Sequence, residues 1–209
     1  MALLPWAAAA EGCRITGHDK PPKASLDASM AQPIYSRDLD KRQMTARHGL
    51  LKTNQTELGL TTSEVRLEVM PKVWFQPQGG GRGCAVLDSV TVVFRISAVR
   101  VEIARDFPTD SCAYRVIREH EDQHVRFVRQ ALEFALPDMR RRLAAAVEEQ
   151  RALVTRASSS AAAAKAVQDA ISARIRPAFE AYEREARRLN ASIDTPQSYA
   201  ALHRRCARW

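Results

Sequence analysis

The stretch YRVIREHEDQHVRF, residues 114–127, decides the fold because it places two histidines four positions apart within a run of helical periodicity. On a helix, His120 and His124 lie one turn apart on the same face, where both imidazole rings can reach one metal ion. Glu121 follows the first histidine, so its carboxylate is expected beside such an ion rather than bound to it. The stretch therefore predicts a helix on which two histidines can bind one metal ion.

The residues around this motif form an apolar stripe when they are read in steps of three and four. Besides the two histidines, the stripe contains Ile117, Phe127, Val128, Ala131 and Ala135. The opposite face carries Arg115, Arg118, Asp122, Arg126 and Arg129. A single histidine on such a stripe is more often a core residue with a hydrogen-bonding partner. Two histidines and a glutamate would be costly to bury without compensation, and a metal ion supplies that compensation.

The HExxH pattern is typical of zinc peptidases. Zinc lowers the pKa of a bound water toward neutrality and polarises a carbonyl group, and a neighbouring carboxylate can accept the proton of that water. We therefore predict a zinc-dependent hydrolase, a metallopeptidase, with Zn²⁺ as its cofactor and a peptide or protein as its substrate. His120 and His124 are the predicted metal ligands, and Glu121 is the predicted catalytic base.

A catalytic zinc ion usually has three protein ligands, so another segment has to supply the third one. The residues that could do so are Glu148, Glu149, Glu180, Glu183, Glu185, Asp194 and His203. We choose Glu183 because it flanks an apolar helix face that includes Phe179 and Tyr182, although Glu185 has nearly the same neighbours. A solvated helix acid is the equally weighted alternative for Glu183. Tyr182 and Tyr114 are candidates for stabilising an oxyanion, and for both a core position is the commoner role.

The order of strand-like and helix-like segments along the whole chain predicts an α+β fold, with a small antiparallel sheet followed by a region of long helices. Alternating or β-branched residues predict strands at 63–75, 90–96 and 99–104, and the last of these is the candidate edge for binding a substrate backbone. Helices are expected from 111 to 136, onward from Pro137, from Pro177 to Leu189, and after Pro196. Residues 13–60 are expected to form an irregular arm with a short helix near 39–44, and residues 61–209 the catalytic domain.

The charge balance is basic, with 32 Lys and Arg against 24 Asp and Glu, a net charge of +8 and a pI near 9.7. Because the excess arginines are scattered through helical stretches with few aromatic residues between them, we interpret them as solvated helix faces and expect no nucleic-acid partner. No apolar run of about 18 residues predicts a transmembrane segment. Two alternatives remain open: a basic helical binding or scaffold protein of the cell envelope, and a zinc-binding protein without peptidase activity.

The N-terminus and the cysteines favour a secreted or periplasmic protein. Residues 1–12 resemble the end of a secretory signal peptide, although no basic segment precedes them. The four cysteines, Cys13, Cys84, Cys112 and Cys206, suit two disulfides in an oxidising compartment, with free cytosolic thiols as the alternative. Three pairings are compatible with four cysteines; we expect Cys112 to pair with Cys84, and Cys13 with Cys206.

Residues 90–143 resemble a bacterial family of uncharacterised secreted zinc-dependent proteases, in which two strands and a cysteine precede a helix with HExxH. Here the cysteine is Cys112, eight residues before His120. The resemblance implies a zincin-like active-site helix and peptidase activity. It extends to Tyr182 and Glu183, an aromatic residue followed by an acid, but no histidine–glycine pair follows them. Residues 1–60 lie outside the resemblance.

Overall fold

The computed structural model describes residues 15, 20–47, 57–78, 80–151 and 155–209. Within these ranges the elements are β1 (Lys23–Met30), β2 (Pro33–Ser36), α1 (Lys41–Arg47), β3 (Gly59–Pro77), β4 (Gly83–Ile103), α2 (Cys112–Arg151), β5 (Thr155–Ala157), α3 (Ser160–Ile193) and α4 (Pro196–His203). Strands and helices are both abundant, so the predicted α+β class is confirmed. None of the helices in these ranges combines the length and apolar character that a membrane span requires.

Strand β4 organises the sheet, because β1, β2, β3 and β5 all pair with it. The pair of β2 and β4 is parallel, with Pro33 beside Val99. The pair of β4 and β5 is antiparallel, with Gly83 opposite Ala157. The prediction of a small antiparallel sheet is therefore wrong, because the sheet is mostly parallel. Strand direction was not readable from the sequence because α1 and β3 lie between β2 and β4, and a connection of that length permits parallel pairing.

The segment predicted as an irregular arm, residues 13–60, contains regular structure where it is described. Strands β1 and β2 lie in it and both pair with β4. Helix α1 agrees with the short helix expected near residues 39–44. Pro22 and Pro33 suggested a loop, but Pro22 precedes β1 and Pro33 is the first residue of β2, positions at which a strand tolerates a missing N–H.

Several predicted breaks are absent from the long elements. The strands expected at 90–96 and 99–104 are parts of one strand, β4, and Pro137 and Pro177 lie inside α2 and α3. A proline removes one helical hydrogen bond at a cost of about 3 kcal/mol. Helix α2 nevertheless continues, with Ala135 and Met139 buried on either side of Pro137. We infer that burial of the apolar face offsets the missing bond.

The described residues cluster into two compact units, and each has its own core. The first unit combines residues of the ranges Met1–Ala28, Leu67–Phe94 and Leu136–Glu180. Its core includes Val92, Met139, Ile171 and Ile175, and the Phe94 and Phe179 rings lie 5.6 Å apart. The second unit combines Ser29–Arg66, Arg95–Ala135 and Ala181–Trp209. Its core includes Met44, Ile96, Val101 and Ile103, and it contains the motif helix segment with both histidines.

Candidate metal centre

The first half of α2 positions the two histidines. The Ser111 hydroxyl accepts a hydrogen bond from the Tyr114 N–H at 3.1 Å, which caps the start of the helix. The stripe of the sequence analysis faces inward, since Ile117, Val128 and Ala131 are buried. The His120 and His124 side chains on the same stripe are only 9% and 12% exposed.

Asp194, which lies between α3 and α4, completes a cluster of three possible metal ligands with the histidines. Its Oδ1 atom is 3.2 Å from His120 Nε2 and 3.2 Å from His124 Nε2. The two Nε2 atoms are themselves 3.2 Å apart. The three ligand atoms therefore form a triangle with equal sides.

This triangle has the dimensions of three corners of a zinc tetrahedron. Zinc binds imidazole nitrogen and carboxylate oxygen at about 2.0–2.1 Å, which puts neighbouring ligand atoms about 3.3–3.4 Å apart in tetrahedral geometry. The observed sides of 3.2 Å are close to that separation. Two histidines and one carboxylate also match the ligand types of catalytic zinc sites, which keep a fourth position for water. The residues present thus fit a zinc ion.

The His124 ring is oriented by Asn190. Its Nδ1–H donates to Asn190 Oδ1 at 2.7 Å, an arrangement that directs Nε2 toward Asp194 and His120, where a metal ion could bind. Burial lowers the pKa of His124, but the hydrogen bonds to Asp194 and Asn190 outweigh burial, and the pKa is raised above its usual 6.5. Asp194 also has a hydrogen-bonding partner outside the cluster, because its Oδ1 accepts a hydrogen bond from the Tyr199 hydroxyl at 2.9 Å.

The charge of Asp194 is stabilised by its neighbours. Burial raises the pKa of this carboxyl, yet the hydrogen bonds from His120, His124 and Tyr199 hold it well below the usual range. The position of Asp194 is defined by the next residue, because the Thr195 hydroxyl accepts a hydrogen bond from the Ser198 N–H and caps α4. Asp194 is therefore an ionised carboxylate at the turn between α3 and α4.

Glu121 lies beside this cluster and is not one of its three members. Its side chain is 4% exposed, and its Oε2 accepts a hydrogen bond from the Thr61 hydroxyl at 2.8 Å. Burial raises its pKa, while the Thr61 hydroxyl and the two histidines act in the opposite direction. A Cβ atom at Gly59 would lie 2.6 Å from Glu121 Oε1, so only a glycine leaves room for this carboxylate.

Glu57 is an acid near the centre that the sequence analysis missed. It lines the same pocket, and its backbone N–H donates to the Thr45 hydroxyl at 3.1 Å. Burial raises its pKa to about 7, and the charges of Glu121 and Asp194 add to that effect. The only available signal was its position two residues before β3, in a segment that we interpreted as an irregular arm.

The structure does not bring Glu183 to the histidines; among the described residues, the acid that clusters with them is Asp194. Glu183 precedes Asp194 by about three helical turns, which corresponds to about 16 Å along the axis of α3. Glu185, the near-equivalent candidate, is ion-paired with Arg188 at 2.6 Å. Of the other candidates, only His203 lines the pocket together with Asp194.

Neither tyrosine that we considered for the oxyanion lines the pocket. Tyr182 is buried, which raises its pKa to about 12, and the Tyr114 ring lies 5.3 Å from the Arg37 guanidinium. Tyr199, which was not considered from the sequence, lies near His120 and Asp194 instead. Its ring centroid is 5.6 Å from that of His120.

One disulfide joins the segments that supply the ligands. Cys112, the first residue of α2, is bonded to Cys206, which follows α4. The prediction that Cys112 forms a disulfide is confirmed, but its expected partner is wrong. Cys84 is also disulfide-bonded, and Cys13 lies outside the described residues.

Comparisons with known proteins add no relative. No protein-family model matches the chain, and no curated protein and no solved structure matches it. The resemblance to secreted zinc-dependent proteases stays a prediction from sequence. The geometry of the centre has to support any functional assignment.

Proposed function

We propose that this protein is a zinc-dependent hydrolase, and specifically a metallopeptidase. The observation that carries the proposal is the triangle of His120, His124 and Asp194 ligand atoms, with sides of 3.2 Å, beside the buried carboxylate of Glu121. An ion pair between Asp194 and the histidines would be enough to explain the triangle. It would not explain why a fourth ionisable group, Glu121, is buried next to it.

The residues of the chain divide into ligands and a proton carrier. When bound, zinc would lower the pKa of a water molecule and polarise the carbonyl group of the substrate. Glu121 accepts the proton of the attacking water and then donates it to the leaving amine. Burial raises the pKa of the Glu121 carboxyl, which favours its role in both accepting and donating a proton. Asn190 orients His124, and Thr61 orients Glu121.

The substrate backbone is proposed to lie along β3. The segment 99–104, our candidate from the sequence, is unsuitable because residues Val99 to Glu102 pair with β2. The beginning of β3 lines the pocket, and among the described residues β4 is the strand with which β3 pairs. The other edge of β3 can therefore accept an extended peptide through main-chain hydrogen bonds.

We also propose a secreted or periplasmic location. The disulfide between Cys112 and Cys206 supports it, because disulfides persist mainly in oxidising compartments. The signal-like residues 1–12 lie outside the described part of the chain.

The test compares wild type, Glu121→Gln and His124→Ala for zinc content and for cleavage of a mixed peptide library. Glu121→Gln should keep the zinc and lose turnover by about 10²-fold or more, since it removes a proton-transfer group and no ligand. His124→Ala should lose zinc and activity together. Glu133→Gln, an exposed acid on the same helix, is the matched control and should behave as wild type.

Two results would contradict the proposal. A zinc-loaded wild type that cleaves nothing would leave a binding protein or a zinc protein without activity. A fully active Glu121→Gln variant would mean that another group is the base.

A further inference from the structure

The pocket at the metal centre is a groove that extends to both sides of the ligands. Its volume is about 880 Å³, and α2 lines it from Val116 to Val128. At about 1.5 Å per residue this part of the helix is about 18 Å long. His120 and His124 lie in the middle of that length, so the groove continues past them in both directions.

Strand β3 forms a second wall of similar length. Residues between Leu58 and Ser63 line the groove, and the Thr61 hydroxyl, which bonds the Glu121 carboxylate, also lies 3.2 Å from the Glu121 carbonyl oxygen. The strand therefore contacts the helix at Glu121. An extended peptide rises about 3.3 Å per residue, so a groove of about 18 Å accommodates about five residues.

The groove has an apolar part in its lining. Val116 and Phe107 are buried, and the Trp209 ring meets the Phe107 ring edge-on with centroids 6.3 Å apart. The indole N–H of Trp209 donates to the His203 carbonyl at 2.9 Å, which holds the indole in place. Lys41 also lines the groove, and its Nζ lies 5.3 Å from the centre of the Phe107 ring.

We propose that the groove binds an extended peptide across the bond to be cleaved and selects a large apolar side chain one or two residues from that bond. The groove's two-sided extent makes the enzyme an endopeptidase. The distance along α2 from His120 to Val116, about 6 Å, sets the position of the selected residue. The apolar wall defined by Phe107, Val116 and Trp209 selects its chemistry. This inference rests on the proposed metallopeptidase function.

The first experiment measures binding apart from cleavage. Zinc-loaded Glu121→Gln protein is titrated calorimetrically with glycine–alanine heptapeptides blocked at both ends, in which one central position is phenylalanine, leucine, alanine or aspartate. The phenylalanine and leucine peptides should bind about 10- to 100-fold more tightly than the alanine peptide, as expected for burial of a large apolar side chain. Equal dissociation constants, a preference for aspartate, or no binding would overturn the inference.

A matched pair of tryptophan variants tests the wall. Trp209→Ala in the Glu121→Gln background should lose most of the preference for phenylalanine over alanine. Trp74→Ala, which removes an indole that is 53% exposed on β3 in the other unit, should retain the preference. Retention in both variants would show that Trp209 does not select the side chain.

Cleavage by wild type of the same peptides, and of the same sequences with free termini, separates this inference from the proposed function. Selective binding without cleavage of either set would contradict the peptidase and leave the selective groove intact. Cleavage that ignores the central residue, or that needs a free terminus, would leave the peptidase intact and contradict the inference.

Discussion

Cys206 is disulfide-bonded to Cys112, so the segment that carries Asp194 is covalently tied to the start of the helix that carries His120 and His124. An ion pair between Arg205 and Glu119 joins the same two segments. The three proposed ligands come from segments far apart in sequence, and their separation of 3.2 Å depends on how these segments are held together.

Replacing both Cys112 and Cys206 by Ser should weaken zinc binding. Loss of the cross-link lets the segment with Asp194 sample other positions, and it also lowers the free energy of unfolding by about 2–4 kcal/mol. The affinity is measured by competition with a chromophoric chelator. Cys84→Ser, which removes a disulfide-bonded cysteine of the other unit, is the control and should keep the wild-type zinc affinity. An unchanged affinity in the double variant would show that packing alone positions Asp194.

Asp194→Ala should lose most of the bound zinc, because it removes one of three protein ligands. Glu183→Ala should keep it, since Glu183 is about 16 Å further back along α3. The measurement is elemental analysis of both purified proteins after dialysis. Zinc loss in Glu183→Ala alone would indicate that Glu183, the residue that we chose from the sequence, is the third ligand.

Gly59→Ala should retain zinc and lose activity. The added Cβ would lie 2.6 Å from Glu121 Oε1 and 2.7 Å from Ile117 Cγ2, so the carboxylate or the strand has to shift. Because the ligands are untouched, the defect should appear in turnover. The exposed neighbour Thr62, which does not line the pocket, gives the control Thr62→Ala. Wild-type turnover in Gly59→Ala would mean that the position of Glu121 is not critical.

Zinc affinity should decrease as the pH is lowered, and the decrease should begin above the usual histidine pKa of about 6.5. A proton on His124 Nε2 excludes the metal, and the hydrogen bonds to Asp194 and Asn190 raise the pKa of His124, so the proton competes at a higher pH. In Asn190→Ala, which removes one of these bonds, the decrease should shift to lower pH. Affinity that is constant from pH 8 to about pH 5 would exclude histidine ligands.

Several features of the centre are local and could be derived from the sequence. The spacing of His120 and His124 defines their common face because a helix repeats every 3.6 residues. The same periodicity predicted that Ile117, Val128 and Ala131 would be buried, and they are. The cap at Ser111 is also a local feature, because its hydroxyl acts within one helical turn.

Other features were decided by tertiary structure. Asp194, Glu57 and Cys206 reach the centre only because distant segments pack against α2, and several acids had equally good local patterns. Likewise, alternation predicted strand character in residues 99–102 but not their pairing with β2, which closes that edge. Periodicity acts over a few residues through backbone geometry, whereas the identity of a third ligand depends on the packing of the whole unit. For this chain the sequence alone therefore determined that the two histidines share one helix face with Glu121 beside them, and the fold decided which carboxylate clusters with them.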